Sequence, residues 1–206
     1  LEPGTAIVAG GVDAAVATFA AGVTRAGQHV AMIGTSMCWG YINQNVDARH
    51  GLISMPHVFN GQRDIYVFGG AITAGASVTW YREQFCHAET EAARAIPNGD
   101  PHRLLEENAS QIPAGSDGVM FLPYLMGERS PVWDAKASGA FVGLSLFHTR
   151  AHLYRAVLEG VSFALKHNIE AGRKGAQSLD DKLIVVGGAA SWAAVSRTGA
   201  AVMAVL

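Results

Sequence analysis

The chain has 206 residues, half of them hydrophobic, and its 15 basic and 17 acidic residues give a formal charge of −2. This balance excludes the basic surface that binds nucleic acid or an anionic membrane, and no apolar run approaches the roughly 20 residues of a membrane span. The two cysteines, Cys38 and Cys86, lie far apart in the sequence, which indicates reduced thiols and a cytoplasmic location rather than a disulfide framework. We therefore expect a soluble globular protein whose partner is a small molecule.

The first part of the chain predicts a strand, a helix and then a group of strands. A short apolar run over 5–9 ends at two glycines and predicts a strand, and the alanine-rich segment 13–23 predicts a helix. Four further apolar segments, separated by polar turns, predict an antiparallel meander: 29–36, 38–44, 51–59 and 63–70.

Helical patterns dominate the rest. A helix is predicted over 73–85, and two short helices broken by proline and glycine turns are predicted within 89–118. Strand segments follow, then a long helix that Thr149 can cap, and finally a strand, a glycine turn and a helix within 182–206. Because the chain begins directly in a turn and the last pattern has no terminating signal, we expect a piece of a longer protein.

Three glycine-containing turns follow apolar strands: GGVD at 10–13, GTS at 34–36 and GGAAS at 187–191. Backbone N–H groups at such turns can approach a phosphate closely, and the positive end of a following helix adds to the attraction. Glycine is also an ordinary way to leave a strand, so no single turn predicts a phosphate site. The sequence contains neither GxxxxGK[ST] nor GxGxxG, which argues against a P-loop enzyme and a standard dinucleotide fold.

Asp13 has two interpretations. An aspartate before an alanine-rich helix is typical of an N-cap, where it satisfies free N–H groups and complements the helix dipole. The same position holds a carboxylate at the end of a predicted strand, as a general base requires. The residues around Asp13 leave both roles open.

Two other polar patterns favour structural roles. His148 and His152 lie four residues apart, but no third ligand is placed by the sequence, so capping or surface roles are favoured and no metal site is predicted. GERSPVWD, at 127–134, predicts a proline turn with a surface pair between Glu128 and Arg129.

Taken in order, these motifs resemble the FGGY carbohydrate kinases. The segment GAFVGLSLFHTRAHLYRAVLE, residues 139–159, fits the second signature of that family, and the preceding PYLMGERSPVWD is similar to the loop of xylulokinase-like and gluconokinase-like members. The resemblance extends over nearly the whole chain, from GGVD to GGAASW.

The resemblance implies an α/β, actin/hexokinase-like (ribonuclease H-like) ATPase fold. Residues 1–25 would end the first, sugar-binding domain and carry the catalytic Asp13, and residues 26–206 would form most of the second, nucleotide-binding domain, incomplete at its C-terminus. The cofactors would be ATP and Mg²⁺. Asp13 would contact the sugar and accept the proton of its hydroxyl as that hydroxyl attacks the γ-phosphate.

The resemblance also assigns residues to the nucleotide. Gly34 and Thr35 match a phosphate loop, and Gly75 matches a glycine at the nucleotide, with Thr79 where glycerol kinases carry a glutamine. The adenosine motif is matched by Gly187, Gly188 and Ala189. The DxGT loop of the family's first domain is absent, so we expect the chain by itself to be inactive.

The expected reaction is ATP-dependent phosphorylation of a pentulose such as xylulose. The alternatives are gluconate or ribulose as substrate, a nucleotide-binding module without sugar chemistry, and, more distantly, an oxidoreductase of the Rossmann type. Glycerol is not expected, because Ala14 also stands where glycerol kinases carry a glutamine. The remaining expected partner is the first domain of the same protein, and a homodimer is left open.

Overall fold

The computed structural model describes residues 2–7, 10–97 and 99–188. The elements, in chain order, are α1 (Asp13–Ala20), β1 (His29–Ile33), β2 (Met37–Asn43), β3 (Ile53–Pro56), β4 (Ile65–Gly69), α2 (Gly75–Phe85), α3 (His87–Arg94), α4 (Pro101–Ser110), β5 (Met120–Leu122), β6 (Ala140–Val142), α5 (Arg150–Gly175) and β7 (Leu183–Val186). A 3₁₀ turn, Ser116–Gly118, precedes β5. The fold is of the mixed α/β class that we expected.

Five strands form the main sheet, in the order β3-β4-β2-β1-β7. β1 runs antiparallel to β2 and parallel to β7, and β4 pairs antiparallel with both β2 and β3. The predicted meander is therefore wrong in its order: β4 contacts β2, and β3 lies at the edge. β2 is buried along almost its whole length, as a central strand should be.

Helices cover both faces of this sheet. Side chains alternate along β1, so that Val30 packs on the same side as α1, with Ala15, while Ala31 packs with α5 residues such as Val161 and Ile169. The N-terminal half of α5 leaves the sheet and packs against α2, α4 and β5 in a second core. α5 thus joins the sheet to the helical layer.

Two predicted elements require comment. Residues 5–7 of the predicted first strand are not in a strand, and Ile7 is 85% exposed; no strand among the described residues pairs with them, and a strand without a partner has no ladder to stabilise it. The helix predicted after GGAAS lies outside the described residues. Among the described helices, none has the length and apolar character needed to cross a membrane.

Candidate nucleotide-binding site

A cleft of about 570 Å³ opens where β1 and β7 end, beside α2. It is lined by Gly34, Thr35, Gly75, Ala76, Thr79, Trp80, Glu83, His102 and Gly188. Five of these residues are ones that the sequence assigned to a nucleotide. They come from three segments that lie far apart in the chain.

Strand register explains why these segments meet. β1 and β7 are parallel, with Met32 beside Val186, so the carboxyl ends of both strands lie at the same end of the sheet. Gly34 follows the first member of this pair by two residues, and Gly188 follows the second by two residues. β4 is antiparallel to β2 and ends beside the start of β2. The turn from β4 into α2 therefore lies at this same end of the sheet.

The start of α2 holds the turn between β1 and β2. The N–H of Gly75 donates to the carbonyl oxygen of Gly34 at 2.9 Å, and the N–H groups of Ala74 and Ala76 both donate to the carbonyl oxygen of Thr35 at 3.0 Å. A Cβ on Gly75 would lie 2.6 Å from the Gly34 oxygen, so glycine permits this close approach. The first N–H groups of α2 therefore bind the turn itself rather than face the cleft.

The same turn has two backbone N–H groups that are not bonded within the described part of the chain. Gly34 donates its own N–H to the carbonyl oxygen of Ser36 at 2.9 Å, whereas the N–H groups of Thr35 and Ser36 have no acceptor among the described residues. Both residues are exposed. Thr35 lines the cleft, and adjacent backbone N–H groups without a protein acceptor can bind an anion such as phosphate.

One face of α2 forms the wall of the cleft. Gly75, Thr79 and Glu83 are spaced by four residues, which places them on one side of the helix over about 12 Å. The half-buried Trp80 ring beside them stacks on Phe121, with 6.2 Å between ring centroids. The side chains that form this wall are thus small near Gly75 and become larger and more polar toward Glu83.

His102 closes the far end of the cleft. Asp100 caps α4 by accepting the N–H of His102 at 2.9 Å, and Pro101 occupies the first helical position. The imidazole Nε2 contacts the Arg82 guanidinium. Burial, and then the neighbouring positive charge of Arg82, lower the pKa of His102, so the ring is neutral at pH 7.

The third predicted glycine segment is only partly described. Gly187 has a φ of +101°, and a Cβ there would lie 2.5 Å from the carbonyl oxygen of Ile33, so a larger residue is excluded on both counts. Gly188 lines the cleft, and a Cβ on it would meet none of the described atoms within 4 Å. Ala189 lies outside the described residues.

Asp13 does not line this cleft. It is the first residue of α1, where Val12 takes the N-cap position, and its exposed carboxylate accepts the N–H of Ala14 at 2.7 Å. The predicted cap therefore lies one residue earlier than expected. Burial raises the pKa of the Cys38 thiol against the effect of its hydrogen bond with Tyr66, and the negative charge of Asp13 adds a smaller contribution in the same direction as burial.

The GERSPVWD loop differs from its prediction. The Glu128 side chain is buried, with 5% of the residue exposed, and forms no surface pair with Arg129. Its Oε1 atom accepts two backbone N–H groups instead, from Ile72 at 3.0 Å and from Arg129 at 2.8 Å. A buried carboxylate requires such donors, and burial raises the pKa of Glu128 against their effect.

The two histidines behave as the sequence predicted. The N–H of Thr149 donates to Nδ1 of His152 at 3.1 Å and completes the N-terminal cap of α5, and the N–H of Ser145 donates to Nδ1 of His148 at 2.9 Å. In the part of the chain that the structure describes, no three His, Cys, Asp or Glu side chains group as metal ligands. Cys38 and Cys86 are free thiols.

Four residues of the cleft were missed by sequence reasoning: Ala76, Trp80, Glu83 and His102. Glu83 could have been found, because it lies one helical repeat beyond Gly75 and Thr79 on the same face. His102 carried no comparable signal, since its place depends on how α4 packs against α2.

Comparison with known proteins connects this geometry to a family. A family model described as the FGGY family of carbohydrate kinases, C-terminal domain, matches residues 29–205. Among curated proteins, the xylulose kinase of Bacillus subtilis is 32% identical over 90% of this chain, and the gluconokinase of the same species is 33% identical over 80%. The chain spans only about a third of the length of these relatives, 35% and 32% respectively.

Solved structures agree in fold. The xylulose kinase of Rhodospirillum rubrum superposes with a TM-score of 0.77 at 29% identity, over 91% of this chain and 36% of the other. A ligand-bound xylulose kinase from Lactobacillus acidophilus gives a TM-score of 0.76 at 27% identity, over 90% and 35%. With a family match over most of its length and the same fold in its structural neighbours, the chain belongs to the FGGY family of carbohydrate kinases and carries the C-terminal domain of that family.

Proposed function

We propose that this chain supplies the nucleotide-binding half of an ATP-dependent sugar kinase whose substrate is a pentulose such as xylulose. The observation that supports the proposal is the single cleft that contains Gly34, Thr35, Gly75, Thr79 and Gly188. The resemblance of the sequence to the family assigns all five to the nucleotide. Gly187 and Ala189 belong to the same proposed adenosine segment.

The cleft has a chemical polarity that fits a nucleoside triphosphate. The N–H group of Thr35, which has no acceptor among the described residues, favours phosphate at one end. The other end carries the Glu83 carboxylate, whose charge disfavours phosphate although it pairs with Arg82 at 3.2 Å. We therefore orient the phosphates toward the β1–β2 turn and the nucleoside toward the far end of α2.

The far end offers groups suited to a purine nucleoside. The indole of Trp80 provides an apolar surface beside the cleft, and Glu83 provides an acceptor for an amino or hydroxyl group. Neutral His102 adds a polar edge without a positive charge. Such a small number of polar groups on a mostly apolar wall is typical of small-molecule sites.

ATP supplies the transferable γ-phosphoryl group when bound, and Asp13 is proposed to accept the proton of the sugar hydroxyl. The carboxylate is exposed at the start of α1, a helix that packs on the main sheet through Ala15. Phosphoryl transfer depends chiefly on alignment and charge neutralisation. Mg²⁺ commonly uses one or two carboxylates together with substrate phosphates, so the proposed site does not require a cluster of protein ligands.

The remaining parts of the proposal follow the relatives. Their names include xylulose kinase, gluconokinase and ribulokinase, so gluconate and ribulose stay as alternatives to xylulose. We place residues 1–25 at the end of a sugar-binding domain and residues 26–206 in the nucleotide-binding domain of a cytoplasmic enzyme. The alternative of a nucleotide-binding module without sugar chemistry would leave Asp13 without a catalytic role.

The test is Asp13→Asn in a kinase that contains this chain together with a sugar-binding domain. We expect sugar phosphorylation to be lost while the Kd for ATP stays within a few-fold, because a base acts on the transition state. Asp181→Asn, at an exposed carboxylate with no hydrogen bond among the described residues, is the matched control. Near-normal turnover of the Asp13 variant would remove this residue from the mechanism.

A further inference from the structure

The GERSPVWD loop, residues 127–134, contacts the segment that leads into the cleft. Oε1 of Glu128 accepts the N–H of Ile72 at 3.0 Å, and Oγ of Ser130 accepts the N–H of Gly70 at 2.9 Å. Both side chains are buried, with 5% and 2% of each residue exposed. Two side chains of one loop thus hold two backbone groups that lie two residues apart.

The segment that they hold, residues 70–72, joins β4 to α2. On its other side, the carbonyl oxygen of Ala71 accepts the N–H of Met37 at 3.0 Å, and Thr73 donates its hydroxyl to the carbonyl oxygen of Pro123. Two residues after Thr73, the N–H of Gly75 donates to the carbonyl oxygen of Gly34 in the β1–β2 turn, residues 34–36, which is the proposed phosphate turn. Any shift of residues 70–72 is therefore transmitted through the start of α2 to the phosphate turn.

The loop is itself anchored. Glu128 and Asp134 exchange backbone hydrogen bonds of 2.8 and 3.0 Å, and the indole N–H of Trp133 donates to the carbonyl oxygen of Gly51 at 2.6 Å. A fixed loop can impose a fixed position on the segment that it binds. The two functional side chains need not touch a ligand to do so.

We propose that Glu128 and Ser130 are positioning residues, which fix residues 70–72 and through them the start of α2 and the Gly34–Thr35 turn in the geometry that binds the phosphates of a nucleotide. The identity of the ligand, a nucleotide, rests on the proposed function, whereas the fixing of residues 70–72 by Glu128 and Ser130 does not depend on it. Loss of either side chain leaves a buried N–H group without an acceptor, and the segment relaxes toward water or another partner.

The experiment is ATP titration calorimetry on this chain and four variants. Glu128→Ala and Ser130→Ala are expected to raise the Kd for ATP at least tenfold. Glu128→Gln is expected to stay within threefold of the parent, because both N–H groups bind Oε1 and an amide oxygen accepts two hydrogen bonds. Glu107→Ala, at an exposed carboxylate paired with Arg103, is the matched control and should leave the Kd unchanged.

Amide hydrogen exchange, measured without nucleotide, separates this proposal from the proposed function. Faster exchange of the amides of residues 70–76 in Glu128→Ala, with exchange in α5 unchanged, would support the positioning role. Failure of the parent chain to bind ATP would refute the proposed nucleotide binding but not this positioning role. A folded Glu128→Ala variant with parental exchange at 70–76, or a parental Kd with only a lower Tm, would overturn the proposal. Ser130→Ala provides the same comparison if Glu128→Ala does not fold.

Discussion

Replacing Gly75 with alanine should disturb the cleft in a measurable way. The new Cβ would lie 2.6 Å from the carbonyl oxygen of Gly34, which is closer than real Cβ contacts. The carbonyl oxygen is a backbone atom and the position of the Cβ is fixed by the backbone of residue 75, so the clash cannot be relieved by rotating a side chain. The start of α2 and the phosphate turn must separate by at least a few tenths of an ångström, and the hydrogen bond between Gly75 and Gly34 lengthens.

The magnitude follows from the cost of overpacking. An added methyl group in a tightly packed site typically costs about 1–3 kcal/mol in the free energy of unfolding, which in a chain of this size lowers Tm by roughly 2–12 °C. We also expect the Kd for ATP to rise about tenfold, equivalent to about 1.4 kcal/mol, because the phosphate donors of the turn move with Gly34.

Gly34→Ala is the control for this prediction. A Cβ on Gly34 would meet only the carbonyl oxygen of Ser36, at an ordinary 3.8 Å, so Tm should remain at or above the parental value. Thermal unfolding followed by circular dichroism, together with ATP calorimetry, measures both quantities. Equal Tm values for the Gly75 and Gly34 variants would refute the packing argument.

Three further predictions concern ligand, acid and activity. Gly188→Val should weaken ATP binding strongly without lowering Tm, since its side chain enters the open cleft; unchanged affinity by calorimetry would mean that this glycine only ends the strand. His57 is buried without a hydrogen bond to its ring, and burial lowers its pKa although Asp64 opposes the shift. As pH falls below about 6.5, the unfolded state therefore takes up a proton on His57 before the folded state does, and the parent protein loses stability. Between about pH 7 and pH 5.5, urea titrations should show a smaller loss of unfolding free energy for His57→Leu than for the parent. Equal losses would contradict this prediction. The 206-residue chain assayed alone should release no sugar-dependent ADP from ATP and Mg²⁺ with pentuloses, hexuloses, gluconate or glycerol, and turnover like that of a full-length relative would refute the two-domain interpretation.

Local patterns predicted most of the elements. Apolar runs at His29–Ile33 and Ile65–Gly69 and the helical period of α2 were sufficient, because each is determined by neighbours in the chain. The order of the strands was not predictable in this way. A strand such as β3 carries no local mark that distinguishes an edge position from a place between β2 and β4.

The role of Glu128 shows the same limit at the level of one residue. An adjacent glutamate and arginine in a proline turn are typical of a surface pair, and nothing in the local sequence indicates that Ile72 would donate its N–H to the carboxylate. Burial of Glu128 depends on a contact between segments 56 residues apart. Such a contact appears only when the loop after β5 and the turn after β4 meet in the fold.

The parallel pairing of β1 and β7 determines where chemistry can occur in this domain. It brings the carboxyl ends of two strands, about 150 residues apart in the chain, to the same end of the sheet. β2 begins at that end, with Cys38 opposite Met32. Asp13 begins α1, which packs through Ala15 on the face of this sheet that carries Val30. The proposed phosphate turn at this end of the sheet and the proposed base at the start of α1 would need a second wall to enclose a sugar between them.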